Sequence, residues 1–230
     1  MPIVSAANAE IVHKIVFVGP EGSGKKTTVQ CVHRFTKADQ RGPLSRVSTR
    51  FAPGIAIDFF TLRIGRIRGF NTKILLCTAP GRKDADKVRR IMLRRADCVI
   101  FVADCQIERL SSNLTSLYSL RENRRDAADS FESPPAVVYQ FNKIDLPDVV
   151  EPARLAEILI TGDTPYFGTS ALDGTGIYEP LRAAVKLTMS RIESPRAQEV
   201  EPFSSAERLR RKNARNSLTA LTRGVSSGRS

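Results

Sequence analysis

Residues 19–28 read Gly19-Pro20-Glu21-Gly22-Ser23-Gly24-Lys25-Lys26-Thr27-Thr28, directly after the apolar run Ile11-Val12-His13-Lys14-Ile15-Val16-Phe17-Val18. Gly19 and Gly24 stand at the G-x-x-x-x-G spacing and Lys25 follows, the pattern of a phosphate-binding loop between a first strand and a first helix. Glycines let successive backbone N–H groups, including those around Gly22 and Ser23, curl inward at a di- or triphosphate. The helix that begins near Lys25 adds the positive end of its dipole. Lys25 itself places a charge between the outer phosphates. The next position, normally the Ser or Thr that ligates Mg²⁺, is Lys26. The loop thus belongs either to a working nucleotide switch or to one whose chemistry has been altered.

Two further segments point to the base. Asn142-Lys143-Ile144-Asp145 follows the strand-like run Ala136–Phe141. An N-K-x-D at a strand end reads guanine in many GTP-binding folds. The Asp145 carboxylate accepts from the ring N1–H and the exocyclic amine, the Asn142 amide meets the N7 edge, and the Lys143 stem packs over the nucleotide. Thr169-Ser170-Ala171-Leu172 follows the short segment Pro165–Gly168, where the Ala171 N–H is expected to meet the guanine carbonyl oxygen. Taken singly, Asn142–Asp145 also reads as a strand-to-helix turn capped by Asp145; three elements in this order favour GTP or GDP.

The rest of the chain alternates strand and helix, as a doubly wound α/β fold does. Strands are expected near 11–18, 55–64, 72–78, 97–103, 136–142 and 164–168, and helices near 24–37, 84–95, 107–123, 151–160 and 176–192. The connection Gly65–Asn71 is short enough for one antiparallel hairpin; helix-length connections elsewhere imply parallel neighbours. Residues 35–53 and 121–135 read as polar loops. A chain of 230 residues with 41% hydrophobic and 26% charged residues can bury an ordinary core. Cys31, Cys77, Cys98 and Cys105 lie in or beside apolar segments with no C-x-x-C spacing, and read as reduced, buried thiols of a cytoplasmic protein. The first ten residues carry no secretory-signal pattern, and no apolar stretch is long enough to span a bilayer.

Residues 11–190 resemble a Ras-like small GTPase, and within that superfamily the bacterial gliding-motility and polarity GTPases of the MglA family. The resemblance is carried by Gly19-Pro20, Ile57-Asp58-Phe59-Phe60, Gly65–Lys73, Thr78-Ala79-Pro80-Gly81, Leu93–Asp104 and Gln140–Pro147. It implies a P-loop NTPase fold: a mostly parallel six-stranded sheet with one antiparallel hairpin, spanning 11–193 between a flexible N-terminus (1–10) and a tail (194–230). It implies GTP or GDP with Mg²⁺ as cofactor, Gly81 closing on the phosphates, a roadblock-fold regulator of the MglB type, and polarity or motility effectors. The contact face for these is expected on residues 46–58, 65–71 and 82–90, rich in Arg82, Lys83, Lys87, Arg89 and Arg90.

Departures from the family pattern cluster where hydrolysis is performed. Phosphoryl transfer needs bridging Mg²⁺, an oriented water and positive charge on the transition state. The metal ligand is replaced by Lys26; the switch-one Thr position holds Gly54; the Arg before it is Pro53; the water-orienting Gln is Arg82. Thr27 or Thr49 remains as an alternative metal ligand, and Arg46 or Arg50 as an alternative charge. With Lys25 and Arg82 as the candidate catalytic groups, the expectation is a GTPase of very low intrinsic turnover. The alternative is a pseudo-GTPase scaffold that binds nucleotide statically.

The tail, residues 194–230, holds eight basic and three acidic residues of a chain whose net charge is +12. Its composition is that of a disordered segment with a thin amphipathic stripe over 205–222. It reads as a candidate anchor for the anionic inner face of the cell membrane, or as a solvated basic tail. No nucleic-acid recognition fold or aromatic stacking platform accompanies the charge, so nucleic acid is not the expected partner.

Overall fold

The computed structural model describes residues 2–5, 9–49, 54–67, 69–128 and 134–193. Its strands are β1 (Ile3–Ser5), β2 (Glu10–Val18), β3 (Ser45–Ser48), β4 (Ala56–Ile67), β5 (Phe70–Thr78), β6 (Cys98–Asp104), β7 (Ala136–Asn142) and β8 (Tyr166–Thr169). The helices are α1 (Lys25–Phe35), α2 (Asp86–Leu93), α3 (Leu110–Ala128), α4 (Pro152–Leu159) and α5 (Tyr178–Glu193). All strands join one sheet in the order β3-β4-β5-β2-β6-β7-β8, with β1 paired to β2. The β2–β5, β2–β6, β6–β7 and β7–β8 pairs are parallel.

Both faces of the sheet are covered, which explains the continuous apolar strands. Side chains alternate along β2: Val16 and Val18 enter a cluster with Val88, Leu93, Leu117 and Leu155, while Ile15 and Phe17 enter another with Val29, Val32, Leu181 and Ala184. Every residue of β6 is buried. Burying Phe17 and Phe101, each at most 1% exposed, contributes about 1.5–3 kcal/mol apiece. The four cysteines are buried thiols; burial pushes Cys77 up to about 11.

The six expected strands are present, and the structure adds two. Ile3–Ser5 pairs antiparallel with β2 inside the stretch expected to be flexible, through Ile3↔Val12 and Ser5↔Glu10. Ser45–Ser48 pairs antiparallel with β4 inside the expected switch-one loop. The expected antiparallel hairpin is β4–β5, and the two added strands bring two further antiparallel pairs among the described residues. The hairpin is also longer than expected: β4 runs to Ile67 and β5 starts at Phe70, past a register shift between Arg63 and Gly65. Helix α3 continues to Ala128, through part of the expected polar connection. Among the described residues no helix is long and apolar enough to cross a membrane. The tail 194–230, and with it the expected anchor, lies outside the described residues.

Candidate functional site

The segments singled out from sequence leave the carboxyl ends of β2, β5, β7 and β8, the edge of a doubly wound sheet where ligands bind. Asn142 ties three of them together. Its Nδ2 donates to the Ser23 carbonyl at 2.9 Å, and its Oδ1 accepts from Ala171 N–H at 3.0 Å and from Thr169 Oγ1 at 3.1 Å. The side chain is 2% exposed. The Asn142 amide and the Ala171 N–H, both assigned from sequence to guanine, therefore also have partners within the protein. Gln140 extends the network, its Nε2 donating to Thr28 Oγ1 and Thr169 Oγ1, both at 3.0 Å.

The phosphate loop leads into α1 through Gly24, which holds φ +94° at the N-cap position. A methyl group there would stand 2.1 Å from Asn142 Nδ2, so residue 24 must be glycine on both counts. Gly81, carried on the segment after β5, meets the loop from the other side: an added Cβ would lie 2.4 Å from Glu21 N. Lys25 is 7% exposed, and its Nζ donates to the carbonyls of Gly19 at 2.9 Å and Pro20 at 2.5 Å. Its pKa is lowered to about 8, chiefly by burial, which Glu21 opposes and Arg89 and Arg109 reinforce. The first turn of α1 has no acidic residue and begins with two lysines at the positive dipole end. Cations there are unfavourable unless an anion lies against them, and the donor set fits a polyphosphate.

Lys26 and Thr27 are exposed at the start of α1. An ammonium at position 26 repels a divalent cation, and the Thr27 hydroxyl is the nearest alternative oxygen in sequence. Among the described residues no group of three His, Cys, Asp or Glu is placed to hold a metal.

On the base side, Lys143 Nζ reaches Asp104 Oδ2 at 2.6 Å and Gln106 Oε1 at 3.2 Å. Asp104 is fully buried. Asp145 is exposed. Cys105 is pushed up to about 12 by burial, then by the Asp104 and Asp145 carboxylates. Ser170 is buried and Leu172 is 75% exposed. Asp104, Gln106, Gln140 and Arg109 were missed in sequence; the one available signal was a charged residue, Asp104, ending a fully apolar strand.

The candidate charges on the switch side are engaged with protein partners. Arg82 makes a bidentate contact with Asp84, at 3.1 and 2.6 Å, on the surface. Arg46 does the same with Asp58, at 2.6 and 3.1 Å, across β3 and β4. Arg89 is buried, 8% exposed, and donates to the carbonyls of Pro80 and Arg82 and to Asp86. The expected basic face is therefore less open than the residue types suggested: Arg89 points inward and Arg90 pairs with Asp86 at 2.8 Å. Gly54 is exposed, and Arg50 and Pro53 lie outside the described residues.

A mostly parallel sheet carrying a phosphate loop, an N-K-x-D segment and a T-S-A segment at one edge defines a Ras-like P-loop protein of the small-GTPase class. No protein-family profile matches the chain. It is 35% identical over 192 residues to the mutual gliding-motility protein MglA of Myxococcus xanthus (strain DK1622), covering 84% of this chain and 98% of that protein. The chain belongs to the MglA family. Membership implies guanine-nucleotide binding.

Proposed function

We propose that this chain is an MglA-like small GTP-binding protein, a switch in bacterial gliding motility or cell polarity that exchanges GTP and GDP and hydrolyses GTP slowly or with a partner. The observation that carries this reading is the Asn142 network, which locks the phosphate loop to the guanine-reading loops, with Asp145 left exposed to take a base. The relative's gliding-motility name supports the process. Lys26 at the metal-ligand position and the Arg82–Asp84 pair favour a second reading, a scaffold that holds nucleotide without turning it over. Purifying the protein, identifying any co-purifying nucleotide and timing GTP conversion with and without Mg²⁺ tests both. Intrinsic turnover at or below roughly 10⁻⁴ s⁻¹ is expected, the scale of unassisted small GTPases. A rate near ~1 s⁻¹ without a partner would sink the slow-switch reading.

Regulators and effectors of the switch are proposed to dock on α2 and the β4–β5 hairpin, where Ile64, Ile67 and Ile91 are exposed beside basic residues. A roadblock-fold protein of the MglB type is the proposed regulator, and salt-sensitive binding is the expected signature. Residues 194–230 are proposed to serve attachment rather than nucleotide binding. Their eight basic residues suit weak, salt-sensitive attachment to anionic lipid. Deleting residues 196–230 should leave nucleotide binding intact and reduce co-sedimentation with anionic vesicles; unchanged co-sedimentation refutes the anchor.

A further inference from the structure

Arg109 ends the short turn Ile107–Arg109 between β6 and α3. Its guanidinium Nη2 donates to the Glu21 carbonyl of the phosphate loop. The same nitrogen lies 3.7 Å from the point a Cβ on Gly22 would occupy, so the group covers the outer edge of the loop. Its Nε stands 3.6 Å from Asp104 Oδ2, the oxygen that also holds Lys143. One buried carboxylate thereby positions a cation on the base side and another on the phosphate side. The Arg109 side chain is 33% exposed. It borders a cavity of about 300 Å³ that opens between the loop at Glu21, the segment at Gly81 and the α3 hydroxyls Ser112, Thr115 and Ser116.

In switch GTPases the third phosphate holds the switch segments against the loop. Gly81 meets the loop at Glu21, so this rim is the end where GTP and GDP differ. Arg46 and Arg82 are bound to Asp58 and Asp84, while Arg109 stands at the rim with N–H groups beyond its hydrogen bond to Glu21 and its ion pair with Asp104. The rim also carries an acid, Glu21, whose charge an incoming phosphate must overcome. We infer that Arg109 reads the outermost phosphate, supplying from within the chain the positive charge that discriminates GTP from GDP. The inference rests on the reading of the chain as a guanine-nucleotide binder.

The test is to measure dissociation constants of the full chain for a non-hydrolysable GTP analogue and for GDP, in the parent and in Arg109→Gln, Arg109→Lys and Glu21→Gln/Arg109→Gln. Arg109→Gln should weaken the triphosphate by about ten-fold or more while GDP stays within ~3-fold, because only the triphosphate loses a charge-assisted bond. Arg109→Lys should recover part of the loss, keeping the charge without the fork, and serves alone if the Gln variant does not fold. The loss should persist when Glu21 is also replaced. Equal weakening of both nucleotides, no weakening, or a loss that vanishes with Glu21→Gln would overturn the inference while GDP binding survives. A parent that binds neither nucleotide would overturn the guanine reading, and the inference with it.

Discussion

Replacing Asn142 by alanine removes one side chain and disconnects three loops. The carboxamide is 2% exposed and makes three hydrogen bonds, to Ser23 O, Ala171 N and Thr169 Oγ1. Thr169 keeps Gln140 as a partner. Ser23 O and Ala171 N–H are left without the carboxamide in a buried setting. An orphaned buried polar group costs about 1–3 kcal/mol, so the expected loss is about 2–6 kcal/mol. Domains of this kind are stable by only about 5–15 kcal/mol, so the change is large. Urea unfolding of the nucleotide-free protein, followed by far-UV circular dichroism, measures it directly. Leu172→Ala, at a side chain 75% exposed in the same loop, is the control and should stay within about 0.5 kcal/mol. Nucleotide affinity should fall in Asn142→Ala, because the phosphate and base loops lose their shared anchor. A stability loss under about 1 kcal/mol would refute the view that this side chain ties the three loops together.

Gly81→Ala places a methyl 2.4 Å from Glu21 N and should destabilise the fold by about 1–3 kcal/mol in the same unfolding assay; a neutral variant contradicts the close approach. Lys25 has a pKa of about 8 in the fold against 10.5 for an unburied lysine, so the unfolded chain holds more protons between those values. Stability should therefore rise with pH across that window, the burial penalty being fully present below about pH 8. A bound polyphosphate restores the proton, so GDP affinity should be flat below that pH and fall above it, by up to about ten-fold per pH unit; a flat fluorescence titration across the window contradicts this. Lys26→Thr combined with Arg82→Gln should raise phosphate release and make it depend on Mg²⁺, and an unchanged rate would show that these two positions do not limit turnover.

Local motifs made the site legible where chemistry is written in short runs. Gly19–Lys25, Asn142–Asp145 and Thr169–Ala171 each sit at a strand end, and the structure brings them to one edge of the sheet. What was illegible depends on long-range approach. The burial of Arg89 beneath Pro80 and the reach of Arg109 to Glu21 involve residues 9 and 88 positions apart, and no local pattern encodes either. That Asn142 also ties the loops together depends on the path of the Ser23 backbone, 119 positions away, which no local pattern encodes. The added strands β1 and β3 span three and four residues, Ile3–Ser5 and Ser45–Ser48, too short to show a two-residue alternation. The far end of β4 escaped notice because its last five residues are exposed and its isoleucines, Ile64 and Ile67, stand three apart instead of alternating with a period of two.

The central claim is that Asp145 and its neighbours select guanine. Isothermal titration of the nucleotide-free full chain with GTP, GDP and ATP tests it most directly. On the proposed reading the Asp145 carboxylate accepts from two guanine donors that adenine does not present, and a charged hydrogen bond is worth about 1.5–3 kcal/mol, so GTP and GDP should bind at least about ten-fold more tightly than ATP. Asp145→Asn should abolish that preference and admit xanthine nucleotides. Equal affinity of the parent protein for ATP and GTP would contradict the account.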